Sequence, residues 1–219
     1  MLDRPRPTSP HLTSSSLTYY AAVASYRAPL LSRFGLVHDR VTAGLKRALN
    51  ATDVRYLPGN KTSVPGFHII PSHLAWSRSL FRFHYDESFT SIMSHVVEAN
   101  GVTEIDESGC DAESRVSFTL AVALPAKGSG LNYADFGGAD NDECRIDNPT
   151  SPHRCYDLKR QEYEVGSMVV HAGRLVHSIG EWEYGGAGKN RITMQGFGFK
   201  CGGSGIEGDG KGDRWYIYW

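Results

Sequence analysis

The stretch Leu80-Phe81-Arg82-Phe83-His84-Tyr85-Asp86 holds the residues best suited to chemistry in this 219-residue chain. Apolar and polar residues alternate, the pattern of a half-buried strand. Side chains two apart on a strand share a face, so Arg82, His84 and Asp86 point one way and Phe81, Phe83 and Tyr85 the other. An imidazole and a carboxylate then converge on one side of a rigid element. Two His and one carboxylate on one face of an octahedron hold a metal such as Fe(II) and leave positions open. His84 and Asp86 supply two of these three groups. A His-x-Asp tripeptide also suits the solvent face of an edge strand. The rest of the chain must therefore supply a second His and an anchor for whatever the metal acts with.

The segment Gly166-Ser-Met-Val-Val-His171-Ala-Gly173-Arg174-Leu-Val-His177 offers two candidates, His171 and His177. His171 ends an apolar run and reads equally well as a core histidine. Arg191-Ile192-Thr193 begins fourteen residues after His177. Arg191 and Thr193 share a strand face, and a guanidinium beside a hydroxyl suits a carboxylate: two parallel charged hydrogen bonds and a third donor. His68, His73 and His95 sit in no such pattern and read as surface or satisfied core histidines.

Composition is that of an ordinary globular protein, 40% hydrophobic and 21% charged, with a net charge of −1. That balance gives no general electrostatic case for nucleic acid or a membrane surface. No apolar run approaches the roughly 20 residues needed to span a bilayer. The N-terminus lacks the apolar core of a secretory signal; the expected location is the cytoplasm, although a Ser/Thr/Pro/Arg bias leaves an organelle address open. The cysteines (Cys110, Cys144, Cys155, Cys201) are widely spaced and form no Cys-x-x-Cys, which argues against structural zinc. Cys144 and Cys155 flank a polar loop and could pair in an oxidising compartment; free thiols are expected. Asn50-Ala51-Thr52 and Asn60-Lys61-Thr62 match the glycosylation triplet, by chance in the absence of a signal peptide.

These residues need a scaffold. Residues 1–16, rich in Pro, Ser and Thr, read as a poorly ordered arm, and 17–219 as one domain. Residues 17–34 read as partly helical with Pro29 as an interruption, and 39–50 as an amphipathic helix with Val37, Val41, Leu45 and Leu49 along one stripe. After Asn50, short strands alternate with Gly, Pro and Asn. They are expected at 54–57, 66–70, 80–86, 115–125, 131–133, 156–165, 168–170 and 215–219. A hairpin is expected of 182–184 and 191–199, a short helix of 91–100, and a solvated acidic loop of 104–113. In the longest strand Val116, Phe118, Leu120, Val122 and Leu124 line one face. Ser117, Thr119, Ala121 and Ala123 line the other, a face of small residues with room for a ligand or a second sheet. The polar loop at 137–154 reads as a lid or an exposed insertion. Helical cover followed by many short strands predicts a mainly β protein, a double-stranded β-helix or jelly roll.

His-x-Asp, a distal His and then Arg-x-Thr, in that order, resembles the Fe(II)- and 2-oxoglutarate-dependent oxygenases. Gly173-Arg174-Leu175-Val176-His177 is similar to the distal-His strand of their prolyl-hydroxylase-like branch. Arg191-Ile-Thr-Met-Gln-Gly196-Phe-Gly198 with terminal Tyr218-Trp219 resembles a little-characterised branch of the same superfamily. The resemblance covers roughly residues 65–219. It implies that His84, Asp86 and His177 ligate iron. The alternative distal ligand, His171, would lie twenty residues before Arg191, longer than the family pattern. Arg191 would bind the distal carboxylate of 2-oxoglutarate with help from Thr193, and Thr119, Asn132 or Tyr133 would touch the same co-substrate. The implied reaction consumes O2 and 2-oxoglutarate, releases succinate and CO2, and oxidises an unactivated C–H bond of a small-molecule or amino-acid-like substrate. Related halogenases replace the carboxylate ligand with a small residue, so Asp86 argues for hydroxylation, desaturation or ring closure. Arg82, Trp76 and Trp182 are candidate substrate contacts. Two other readings stay open: a jelly-roll binding module without catalysis, and a cupin-like metal enzyme that makes no use of 2-oxoglutarate. Oligomeric state is not legible.

Overall fold

The computed structural model describes residues 22, 24–57, 64–71, 83, 84, 86, 110–125, 129–135, 157–180, 182, 190–201 and 213–218. The arm, the expected 91–100 helix, most of the expected 80–86 strand, the 137–154 loop, Cys144, Cys155, Trp76 and Arg82 lie outside them.

One described helix, α1 (Arg27–Ala48), precedes nine strands. Pro29 does not interrupt it: in the first turn its missing N–H has no partner to lose. The two expected helices run together through a kink at Phe34 (φ −124°, ψ 20°). The helix ends in a paired-turn cap. Ala51 N–H reaches the Lys46 carbonyl at 3.0 Å and Asn50 N–H the Arg47 carbonyl at 3.3 Å. Asn50 takes the left-handed φ of 48° that this cap requires and that Asn tolerates. Lys46 and Arg47 place positive charge against the C-terminal end of the helix dipole.

The strands are β1 (Asp53–Tyr56), β2 (Gly66–Ile70), β3 (Cys110–Ala123), β4 (Gly130–Asp135), β5 (Asp157–Glu162), β6 (Met168–Ala172), β7 (His177–Ile179), β8 (Arg191–Cys201) and β9 (Arg214–Tyr218). They form a larger sheet in the order β1-β9-β8-β3-β6, with β2 also on β8, and a smaller sheet β5-β4-β7. β8 is central. One edge pairs antiparallel with β3; the other takes β2 along residues 191–195 and β9 along 197–201. Only β1 with β9 is parallel. Both edges of β8 are thus filled by other strands; of the arm expected at 182–184 only Trp182 lies among the described residues. Trp182 packs with Ile70 and Ile179, 3% exposed.

The larger sheet has two unlike faces. Val41 and Leu45 of α1 pack against Val54, Val116, Phe118, Met194, Trp215 and Ile217, as the helical stripe predicts. The opposite face looks towards the smaller sheet. There Ala121, Leu131 and Tyr163 form an apolar contact with Leu124, Val169 and Leu175. Alternation along β3 holds until a bulge: Ala121 opposes Thr193, but Ala123 opposes Ile192. The extra residue reverses the phase, so Val122 turns outward and Leu124 joins the inter-sheet contact, against expectation. β3 also starts at Cys110, inside the expected acidic loop. The expected free thiols are corrected there too. Cys110 and Cys201 face each other in the β3–β8 register and form a disulfide, 91 residues apart in sequence.

Candidate metal centre and its surroundings

β7 carries His177, and His84 joins the same edge as an antiparallel bridge. His84 N–H donates to the His177 carbonyl at 2.9 Å and His177 N–H to the His84 carbonyl at 2.8 Å. This bridge fixes the two imidazoles side by side, with ring centres 4.6 Å apart. Asp86, two residues on, turns its carboxylate between them: Oδ1 lies 4.0 Å from His84 Nε2 and Oδ2 3.8 Å from His177 Nε2. One ligand atom from each of the three residues falls within 4.8 Å of the others, a group able to hold a metal ion.

The surroundings orient these ligands. His177 Nδ1–H donates to the Leu175 carbonyl at 2.8 Å, which leaves Nε2 facing the carboxylate. Burial pushes the His177 imidazole down to about 4, with Asp86 opposing. The ring is therefore neutral near pH 7, with a lone pair to give a metal. The Ser117 hydroxyl on β3 donates to Asp86 Oδ2 and ties the carboxylate to the opposite sheet. His84 is the exposed member, its side chain 52% accessible against 10% for His177. His171 lies opposite Ser117 on β6, its ring 4.6 Å from that of His177. It is a neighbour of the group, with Nδ1–H on the Ala172 carbonyl at 3.0 Å.

One step along this face of β3 from Ser117 lies Thr119, hydrogen-bonded to Tyr163. Arg191 sits over the Tyr163 ring, 5.5 Å from its centre. Arg191 is completely buried. Nε donates to Ser129 Oγ at 3.1 Å and Nη1 to Thr193 Oγ1 at 3.3 Å, while Nη2 has no hydrogen-bond partner. Gln195 also reaches Thr193 Oγ1, at 3.2 Å. Among the described residues only neutral side chains receive this guanidinium. Ser129 holds a left-handed φ of 72°, strained for a residue with a side chain, and its hydroxyl is the Arg191 acceptor. His68, opposite Thr193 on β2, has its basicity lowered by burial and by Arg191.

The fold thus brings together His84, Asp86 and His177 at one point and Arg191, Thr193 and Thr119 at another. Tyr133 opposes His177 across β4–β7 and shares its face. Asn132 opposes Ser178, on the other face of that sheet, and is separated from the site. Trp182, expected to touch substrate, is a core residue. Sequence reasoning put Ser117 on the face with room for a ligand but gave it no role, and missed Ser129, Tyr163 and Gln195. The only signal for Ser129 was its place between two glycines.

No protein-family model matches this chain, and no curated protein is significantly similar to it. No described helix is long and apolar enough to cross a membrane.

Proposed function

We propose that the chain is a jelly-roll metalloprotein, the larger sheet β2-β8-β3-β6 facing a smaller one of β5-β4-β7 and the His84 bridge. Within that class we infer an Fe(II)- and 2-oxoglutarate-dependent oxygenase acting on an unactivated C–H bond of a small molecule. The observation that carries the reading is Arg191. A buried guanidinium with no carboxylate beside it among the described residues and an unpartnered Nη2 is costly. A dicarboxylic acid reaching from the metal group would satisfy it. Tyr163, Thr193 and Ser129 fit the same end of such a molecule.

His84, Asp86 and His177 would hold the iron. With 2-oxoglutarate and O2 bound, it supplies an oxidant strong enough to attack C–H bonds while 2-oxoglutarate becomes succinate and CO2. The chain's own contribution is positional. The Leu175 carbonyl sets the His177 tautomer, Ser117 fixes the Asp86 carboxylate, and burial keeps His177 unprotonated. Thr119 and Tyr163 brace Arg191, so that the co-substrate's far carboxylate meets a preorganised cation. The inter-sheet packing of Ala121, Leu131 and Tyr163 excludes water beside this end.

Metal analysis after anaerobic reconstitution tests the ligand set. One Fe(II) per chain is expected for the wild type, and none for Asp86→Ala or His177→Ala. Stoichiometric iron in either variant would remove that residue from the site. In the cupin-like alternative Arg191 is an ordinary polar residue, and Arg191→Ala would leave ligand affinity and turnover unchanged.

A further inference from the structure

Arg115 stands one step from Ser117 on β3, on the side away from Thr119. Val116 and Phe118 belong to the core under α1, so alternation puts Arg115, Ser117 and Thr119 together on the opposite face. The β8 register agrees: Arg115 opposes Phe199, Ser117 opposes Phe197 and Thr119 opposes Gln195. Along this face the order is Arg115, then Ser117 with Asp86, then Thr119 with Tyr163 and Arg191. The metal group lies between two arginines. Same-face residues on a strand are about 6.8 Å apart, so the Arg115 stem starts a single step from the residue that holds Asp86.

Arg115 Nε is buried and has no hydrogen-bond partner. Among the described residues no carboxylate pairs with it. Its backbone, by contrast, is fixed. The Arg115 carbonyl accepts from Gly173 N–H at 2.9 Å, and Gly173 packs so closely that a Cβ there would lie 3.0 Å from Arg115 Cβ. A rigid stem therefore carries a partly buried cation with an unpartnered Nε, two residues along β3 from the serine that holds Asp86. A side chain of this kind is matched by a ligand anion, as at Arg191. One planar fork fits a carboxylate. Phe197, opposite Ser117 on β8 and only partly buried, offers the carbon skeleton an apolar wall.

We propose that Arg115 grips the carboxylate of the primary substrate, which makes that substrate a small organic acid whose C–H bond is held at the His84–Asp86–His177 group. This rests on the oxygenase reading, and the test separates the two. The arginine Nε–H signals of 15N-labelled, Zn(II)-loaded protein are followed by NMR. The Arg115 signal is assigned by its loss in Arg115→Gln or, should that variant not fold, in Arg115→Lys. The expected result is that 2-oxoglutarate shifts Arg191 and leaves Arg115 in place. Millimolar acetate added to that complex then shifts Arg115, and acetamide does not. If 2-oxoglutarate shifts neither arginine, the oxygenase reading falls and this proposal with it. If it shifts Arg115 instead of Arg191, the oxygenase reading stands but Arg115 is the co-substrate anchor, and the proposal is overturned. Arg115 unmoved by acetate, moved equally by acetamide, or moved only by inorganic phosphate also overturns it.

Discussion

The two faces of the larger sheet are built from the same strands and do opposite things. On β3 and β8 the residues turned towards α1 are Val116, Phe118 and Met194, sealed in an apolar core. Their neighbours in sequence, turned the other way, are Ser117, Thr119, Thr193 and Arg191, buried and polar. The first face is complete without a ligand. The second carries an idle donor at Arg191 and another at Arg115. The α1 side is structural. The other side carries the proposed site around residues 117–119 and 191–193 before it closes into a second apolar cluster of Leu57, Phe199, Tyr216 and Tyr218, and single substitutions on adjacent residues of β3 should separate the two roles.

The largest effect is expected on the apolar side. Phe118 is 1% exposed, and Phe118→Ala should cost about 3–5 kcal/mol of stability in urea unfolding. A loss below about 1 kcal/mol would mean that this face does not carry the fold. Arg191→Met should do the reverse. Exchanging a buried, incompletely paired cation for an apolar side chain should leave the ligand-free protein as stable or more so. Calorimetric affinity for 2-oxoglutarate should meanwhile fall by roughly 100-fold, the loss of charged hydrogen bonds to a carboxylate. A strongly destabilised Arg191→Met with unchanged affinity would put Arg191 on the structural side.

Gly196 sharpens the same contrast at smaller amplitude. A Cβ at this position would lie 2.7 Å from the Phe118 ring and 2.8 Å from Pro65. Gly196→Ala should overpack the helix side by about 1–3 kcal/mol and leave metal and 2-oxoglutarate affinity unchanged.

The smallest effect expected is with pH. Burial lowers the basicity of His38 on the helix side and of His68, His171 and His177 on the site side. Each is titrated more readily in the unfolded chain, near the ordinary value of 6.5, than in the folded one. Below that value the unfolded state binds more protons, so metal-free stability should fall as pH drops from about 6.5. For His177 the loss continues to about 4. Stability that stayed level or rose between about pH 7 and 5 would contradict the burial of these rings.

Much of the site was legible because its signals are local. His84 and Asp86 share a strand face by simple alternation, and so do Arg191 and Thr193. The Val37, Val41 and Leu45 stripe likewise marked the face of α1 that packs. What stayed hidden depends on pairing between distant segments. Ser117 reaches Asp86, Ser129 meets Arg191 and Cys110 meets Cys201 only because of strand register. Asn132 was placed with the site, although its neighbours Leu131 and Tyr133 take the inward positions. The bulge at Val122 breaks an alternation that looks unbroken in the sequence. Trp182 reads as a candidate substrate contact until its packing with Ile70 and Ile179 is seen.

The most direct test is an anaerobic titration of metal-free protein with Fe(II) and then 2-oxoglutarate, followed by visible absorption. The prediction is a weak charge-transfer band that requires both additions. It should be lost in Arg191→Met at a co-substrate concentration that just saturates the wild type. No band with the wild type, or one of equal strength in Arg191→Met, would contradict the pairing of a His-Asp-His metal group with a buried arginine anchor.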